Sequence, residues 1–152
     1  MTYQHTQAGY TPIQYALFSI GMVVFMAIVD DESPGWVVPL TAVFLAAIFL
    51  VLLAFNWLRV TVDDQAVSAA FALGKPHRVF ALRDISAVEQ VRNRWYYGWG
   101  VRRTPSGWMY NVWGFDAVEL QLADGTVFRI GTDDAERLLA VVSLGASGAR
   151  TA

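Results

Sequence analysis

Two apolar segments near the start leave this chain few ways to fold. Ile13–Val29 (IQYALFSIGMVVFMAIV) has 17 residues, no charge, and Gln14 as its one strongly polar side chain; Val37–Leu58 has 22 residues and no charge. At a rise of about 1.5 Å per residue, helices of these lengths span roughly 26 and 33 Å, against a bilayer hydrocarbon core of about 30 Å. A helix pairs its own backbone N–H and C=O groups, so it is the form such a segment takes in lipid. A core helix of a soluble protein is usually shorter and keeps a polar face, which Val37–Leu58 lacks. The expectation is a two-helix transmembrane hairpin, residues 13–29 and 37–58, joined by an outer loop over residues 30–36. Residues 1–12 contain no Lys or Arg, so the basic start of a cleaved signal peptide is missing. They are expected to form a cytoplasmic tail.

The positive charges set the expected orientation. All 11 Lys and Arg lie at Arg59 or beyond, while the connector carries Asp30, Asp31 and Glu32 and no base. By the positive-inside rule both termini face the cytoplasm, which implies a multi-pass protein of a cytoplasmic (inner) membrane. Trp36, Trp57 and Arg59 fall at the ends of the second segment, where indoles and guanidinium groups anchor a helix at the headgroup layer.

After the apolar segments the hydrophobic period changes to two, the mark of strands with one buried face. Val60 and Val62 alternate with polar neighbours; Val67, Ala69, Phe71 and Leu73 line a second strand; Val79–Leu82 and Ile85–Val91 follow, the last with the irregularity of a bulge. Residues 92–107 read as a long loop. Trp108–Trp113 resumes a strand, and the alternation around Val118, Leu120 and Leu122 continues through Asp124-Gly125 to Phe128 and Ile130, the strongest short hairpin signal. Ala135, Leu138, Leu139 and Val142 then form one helical stripe, with Asp133 as N-cap, Glu136 completing a capping box, and Gly145 and Gly148 ending the helix before a loose tail over residues 146–152. The expected domain, residues 59–145, is mainly β: a seven-stranded antiparallel barrel or sandwich with a C-terminal capping helix.

The run Trp99-Gly100-Val101-Arg102, Gly107-Trp108-Met109-Tyr110-Asn111-Val112, Gly114, Ala117-Val118-Glu119-Leu120 and Asp124-Gly125 through Phe128-Arg129-Ile130-Gly131-Thr132-Asp133 resembles the small membrane-anchored bacterial pleckstrin-homology-like proteins. Ile85-Ser86-Ala87-Val88 is similar to the family's fourth strand. The resemblance implies a PH-like fold after a membrane hairpin and a non-catalytic binding or self-assembly role. Phosphoinositide-binding relatives carry bases in the first hairpin turn. Here that turn is Asp63-Asp64-Gln65, so phosphoinositide binding is not carried over.

Arg92–Phe115 is the compositional anomaly of the β region. It holds Arg92, Arg94, Arg102 and Arg103, no acid, and four of the six tryptophans: Trp95, Trp99, Trp108 and Trp113. Arg pairs with phosphate in bidentate fashion and indoles settle at the bilayer interface, so Arg92, Arg94, Trp95, Trp99, Arg102, Arg103 and Trp108 are the candidate binding residues. Three roles compete for them: core packing, a protein interface, and contact with anionic headgroups. Residues 59–152 carry 11 bases against 10 acids, which offers no basic field for nucleic acid. The absence of cysteine excludes disulfides, thiol catalysis and cysteine-ligated zinc. His5 and His77 have no second ligand at a metal-like spacing, and no nucleophile or carboxylate sits in a catalytic frame. The expectation is a non-enzymatic module without metal or cofactor, mediating protein interaction or self-association at the membrane surface, with membrane lipids, a homo-oligomer or a membrane protein as partners. Its alternative is anionic-lipid sensing through residues 92–115.

Overall fold

The first element of the computed structural model is a strand, β1 (Tyr3–Ala8), where the sequence reading places a tail. The structure describes residues 2–9, 11–28 and 34–151. Two helices follow β1, α1 (Thr11–Ile28) and α2 (Val37–Ala54). Strands β2 (Trp57–Val62), β3 (Ala66–Phe71), β4 (His77–Ala81), β5 (Ile85–Arg92), β6 (Gly100–Arg103), β7 (Trp108–Asn111), β8 (Asp116–Leu122) and β9 (Val127–Gly131) lead to the terminal helix α3 (Ala135–Thr151). There are thus nine strands among the described residues rather than seven, β1 and β6 being the additions.

The strands form two sheets that do not close into a barrel. One runs β1-β2-β3-β4 and the other β5-β8-β9-β7-β6. The first is antiparallel throughout; in the second, β7 lies parallel to β9 and the remaining pairs are antiparallel. Strands β5 and β6 occupy opposite edges of their sheet, so the chain between them has the whole sheet to cross. Crossing four strand spacings of about 4.8 Å takes about 19 Å. Residues 93–99 make the crossing as a short strap, and the remainder of the expected 92–107 loop is β6 and the β6–β7 turn.

Between the sheets lies the core. Leu58, Val60, Val62, Val67 and Phe71 meet Tyr110, Val118, Leu120, Phe128 and Ile130, and Leu138, Val142 and Ala146 of α3 pack over the end near Leu82 and Ile85. Rings pass contact through it: Phe55 to Phe71, Phe71 to Tyr110, and Tyr110 to Phe128. The period-two expectation holds for β2, for β3 as far as Phe71, and for β9, whereas Leu73 lies beyond β3 and is exposed, and β8 buries Ala117 and Glu119 as well as Val118 and Leu120; the irregularity in β5 is a register shift between Ile85 and Ala87. In the β8–β9 turn Gly125 has φ +82, and the Thr126 N–H donates to the Asp124 carboxylate at 2.8 Å. A positive φ suits glycine, which has no Cβ to clash.

Several boundaries move. Helix α2 ends at Ala54 rather than Leu58, because Leu58 is a core residue of β2, opposite Phe71. Helix α3 runs through Gly145 and Gly148 to Thr151, replacing the predicted tail. Gly145 is a packing position: a Cβ there would stand 2.8 Å from Leu82 Cδ1, so glycine lets the helix approach. Asp133 is engaged away from the predicted cap, its carboxylate 2.6 Å from His5 Nε2, while Thr132 Oγ1 accepts the Asp134 N–H at 3.1 Å.

Helices α1 and α2 touch through Tyr15 and Phe18 against Phe49. No side chain of α2 is buried, and among the described residues it is the one helix long and apolar enough to cross a membrane. Of the predicted connector, residues 30–33 lie outside the described residues, as does Val29 at the end of the first predicted segment.

Candidate functional site

The strap begins where β5 ends. Arg92 stands opposite Asp116 in the ladder, and the buried Asn93 donates its backbone N–H to the Phe115 carbonyl at 2.6 Å. A 3₁₀ turn, Trp95–Tyr97, carries the strap over β9, where the Arg129 guanidinium lies 6.0 Å from the Tyr97 ring centre. Arg94 donates to the Tyr96 hydroxyl at 2.7 Å, and that bond, with the nearby phenols, raises its already high pKa. Gly98, at φ +70, turns the chain toward Trp99, whose ring stacks on Trp113 with centres 5.1 Å apart.

Beneath the strap is a buried ion pair. Glu119 and Arg129 face each other on adjacent strands, Nε to Oε2 2.5 Å, with side chains only 10% and 15% exposed. Ser106 Oγ donates to the same carboxylate oxygen and Arg129 reaches Asn93 Oδ1 at 3.4 Å, so strap and β6–β7 turn both close over the pair. Gly107 in that turn abuts the Val127 carbonyl so closely that a Cβ would collide with it.

Core packing does not account for the aromatics of this region. Tyr110 is buried at 4% exposure, but Trp95 is 78% exposed, Tyr96 55%, Trp99 44% and Trp108 46%. Monomeric domains seldom leave so many large rings in water without a partner for them.

The candidate residues divide by position. Trp99 and Arg102 come together beside the last turns of α2, where they line a groove of about 400 Å³ with Val51, Leu52 and Phe55. Arg102 Nε donates to the Trp99 carbonyl at 2.9 Å. Trp57 and Arg59 line a second groove of about 270 Å³ with Thr6, Ala70 and Gly74. Arg92 is the last residue of β5, and Arg94 and Trp95 follow it on the strap. Arg103 pairs with Trp108 three residues along the ladder from Gly100 and Asn111, about 10 Å from the strap end, and does not join the cluster. Trp36 precedes α2 at its other end, about 27 Å away along 18 residues.

Sequence reading missed the residues that tie this region to α2. The Gly9 N–H donates to the Asn56 carbonyl at 2.6 Å, and Gln7 Nε2 donates to the Trp113 carbonyl at 2.8 Å. Gly9 itself is wedged against Val112 and Asn56, a Cβ there falling 2.8 Å from Val112 Cγ1. Asn56 is buried, although an asparagine at the end of an apolar run reads as an interface residue.

No protein-family model matches the chain, and no curated protein matches it.

Proposed function

We propose that the protein is a membrane-anchored, non-enzymatic binding and assembly module, with its β-rich domain held against a membrane surface by two spans, α1 and α2. The observation that carries this reading is the pairing of β1 with β2 on either side of the helices. Adjacent strands of one sheet lie on one side of a membrane. If α2 crosses the bilayer, the chain between Ala8 and Trp57 must cross twice, and α1 is the segment available for the other crossing. The absence of bases before Arg59 favours a cytoplasmic position for the domain.

The exposed strap supports a binding role, since Trp, Tyr and Arg are the side chains that concentrate binding energy at interfaces. Its nearness to the end of α2 favours work at the membrane surface, where indoles and guanidinium groups are both accommodated. Two packed sheets with a terminal helix at one end also fit the pleckstrin-homology-like resemblance, with β1 and β6 as additions.

The chain has no cysteine of its own, which makes site-specific labelling clean. Gly35→Cys and Ala123→Cys variants are treated with an impermeant maleimide in intact cells. Residue 35 should label from outside and residue 123 only after lysis. Labelling of residue 35 only after lysis, or a full-length chain soluble without detergent, would overturn the topology. Crosslinking in native membranes should give a ladder or a defined hetero-complex; a monomer alone would remove the assembly role.

A further inference from the structure

The groove between α2 and β6 has two chemically different walls. Val51 and Leu52 belong to the end of the apolar helix and Phe55 caps it, while Trp99 and Arg102 come from the strap end and β6, with Val101 and Val112 also in the lining; Arg102 is its one charged residue. We propose that this groove seats one acidic phospholipid, its phosphate on Arg102 beside Trp99 and its first acyl methylenes along Val51, Leu52 and Phe55.

The proposal rests on α2 spanning the membrane, as proposed above. A groove walled by such a helix opens to the lipid phase, so its natural occupant carries hydrocarbon. The other wall asks for a negative charge, and a guanidinium meets a phosphate through paired donors. The bond from Arg102 Nε to the Trp99 backbone carbonyl ties the guanidinium to the strap end, at the groove that both residues line. Arg102 has no other hydrogen-bond partner among the described residues, which leaves its terminal nitrogens for a ligand. That fixing lowers the ordering cost of binding. The stack of Trp99 on Trp113 keeps the indole in place.

Size and charge narrow the occupant. A volume of about 400 Å³ lies within the usual range for small-molecule sites and suits a headgroup with its first methylenes. A zwitterionic choline lipid brings a cation of its own toward Arg102, so a lipid with net negative charge is preferred.

The test uses the full-length protein in detergent, with bound lipid counted by native mass spectrometry. Phosphatidylglycerol should be retained about fivefold over phosphatidylcholine, the ratio that one interfacial base supplies. Arg102→Gln should abolish the preference, Arg102→Lys should keep part of it, and Arg83→Gln, remote from the groove, should leave it unchanged. Soluble glycerol phosphate should not compete, since it lacks the hydrocarbon. Equal retention of both lipids, a preference intact in Arg102→Gln, or effective competition by glycerol phosphate would each overturn the proposal. If Arg102→Gln fails to fold, the lysine variant and the competition arm decide. A protein that enters the membrane yet shows no lipid preference removes this inference alone, whereas one that needs no detergent removes the membrane reading beneath it.

Discussion

Ala8 lies opposite Trp57 in an antiparallel ladder, although both apolar helices intervene between them in the chain. The pairing continues one step further, where the Gly9 N–H meets the Asn56 carbonyl at 2.6 Å. The two helices therefore enter and leave the β domain through adjacent strands. Only Phe55 and Asn56 separate α2 from β2. A connection this short lets the strap and β2 ride close to the end of α2 in whatever surroundings that helix occupies.

The first strand is expected to contribute to stability as a core element. Tyr3 is buried, its hydroxyl donates to Asp134 at 3.1 Å, and Arg137 lies 5.6 Å from its ring centre. Burial and the Asp134 carboxylate raise the pKa of its phenol. Tyr3→Ala should lower stability by about 3 kcal/mol, the usual cost of emptying a buried aromatic site. Tyr3→Phe, which removes only the hydrogen bond, should cost about 1 kcal/mol. Urea midpoints of the detergent-solubilised protein separate these values; a neutral Tyr3→Ala would mean that β1 is dispensable.

Residues alternating strictly between apolar and polar were readable, and they are the ones whose buried face is apolar. Val60, Val62, Val118, Leu120, Phe128 and Ile130 all reach the core, as does the stripe on α3. Strand β1 escaped because it buries Gln7 alongside Tyr3, so its inward face carries no apolar repeat. Strand β6 escaped for another reason: Arg102 and Arg103 are both exposed on an edge strand, and only Val101 packs against the core. The candidate site was visible as composition, since an acid-free run of Arg and Trp needs no alignment to notice. Its division between the end of α2 and the far end of β7 was not visible, because that depends on how the strap crosses the sheet. At the α3 terminus glycine signals either a helix end or a close approach, and Leu82 decides for the second at Gly145, while Gly148 stands in open space within the helix.

The Glu119–Arg129 pair is expected to show strong coupling. Removing one member leaves the other charged and buried, a change that costs about 3–5 kcal/mol. Glu119→Leu and Arg129→Leu should each fall in that range, and each should loosen the strap, since Asn93 and Ser106 hold onto the same pair. The double variant should recover much of the loss, because two apolar side chains of similar volume need no counter-charge. A double-mutant cycle in urea measures the coupling directly. Additive losses, or single losses below about 1 kcal/mol, would mean that water reaches the pair and screens it.

Acid should weaken the domain partly through its two Asx turns. The Asp63 carboxylate accepts the N–H groups of Gln65 at 2.8 Å and Ala66 at 2.7 Å, and these two bonds hold its pKa below the ordinary 3.8. Asp124 is lowered in the same way, first by the Thr126 N–H. A depressed carboxyl in the folded state means that the unfolded chain takes up protons first as the pH falls. The stabilisation is therefore fully present above the unfolded value, declines as the pH drops through 3.8 toward the folded value, and is gone below it. Asp63→Asn and Asp124→Asn together should flatten that part of the pH–stability curve while leaving its neutral shape alone. Carbon-detected titration of the two carboxyls provides the direct check. Titration at or above 3.8 would show that the turns do not favour the charged form, and the acid-side loss would then belong to other carboxylates.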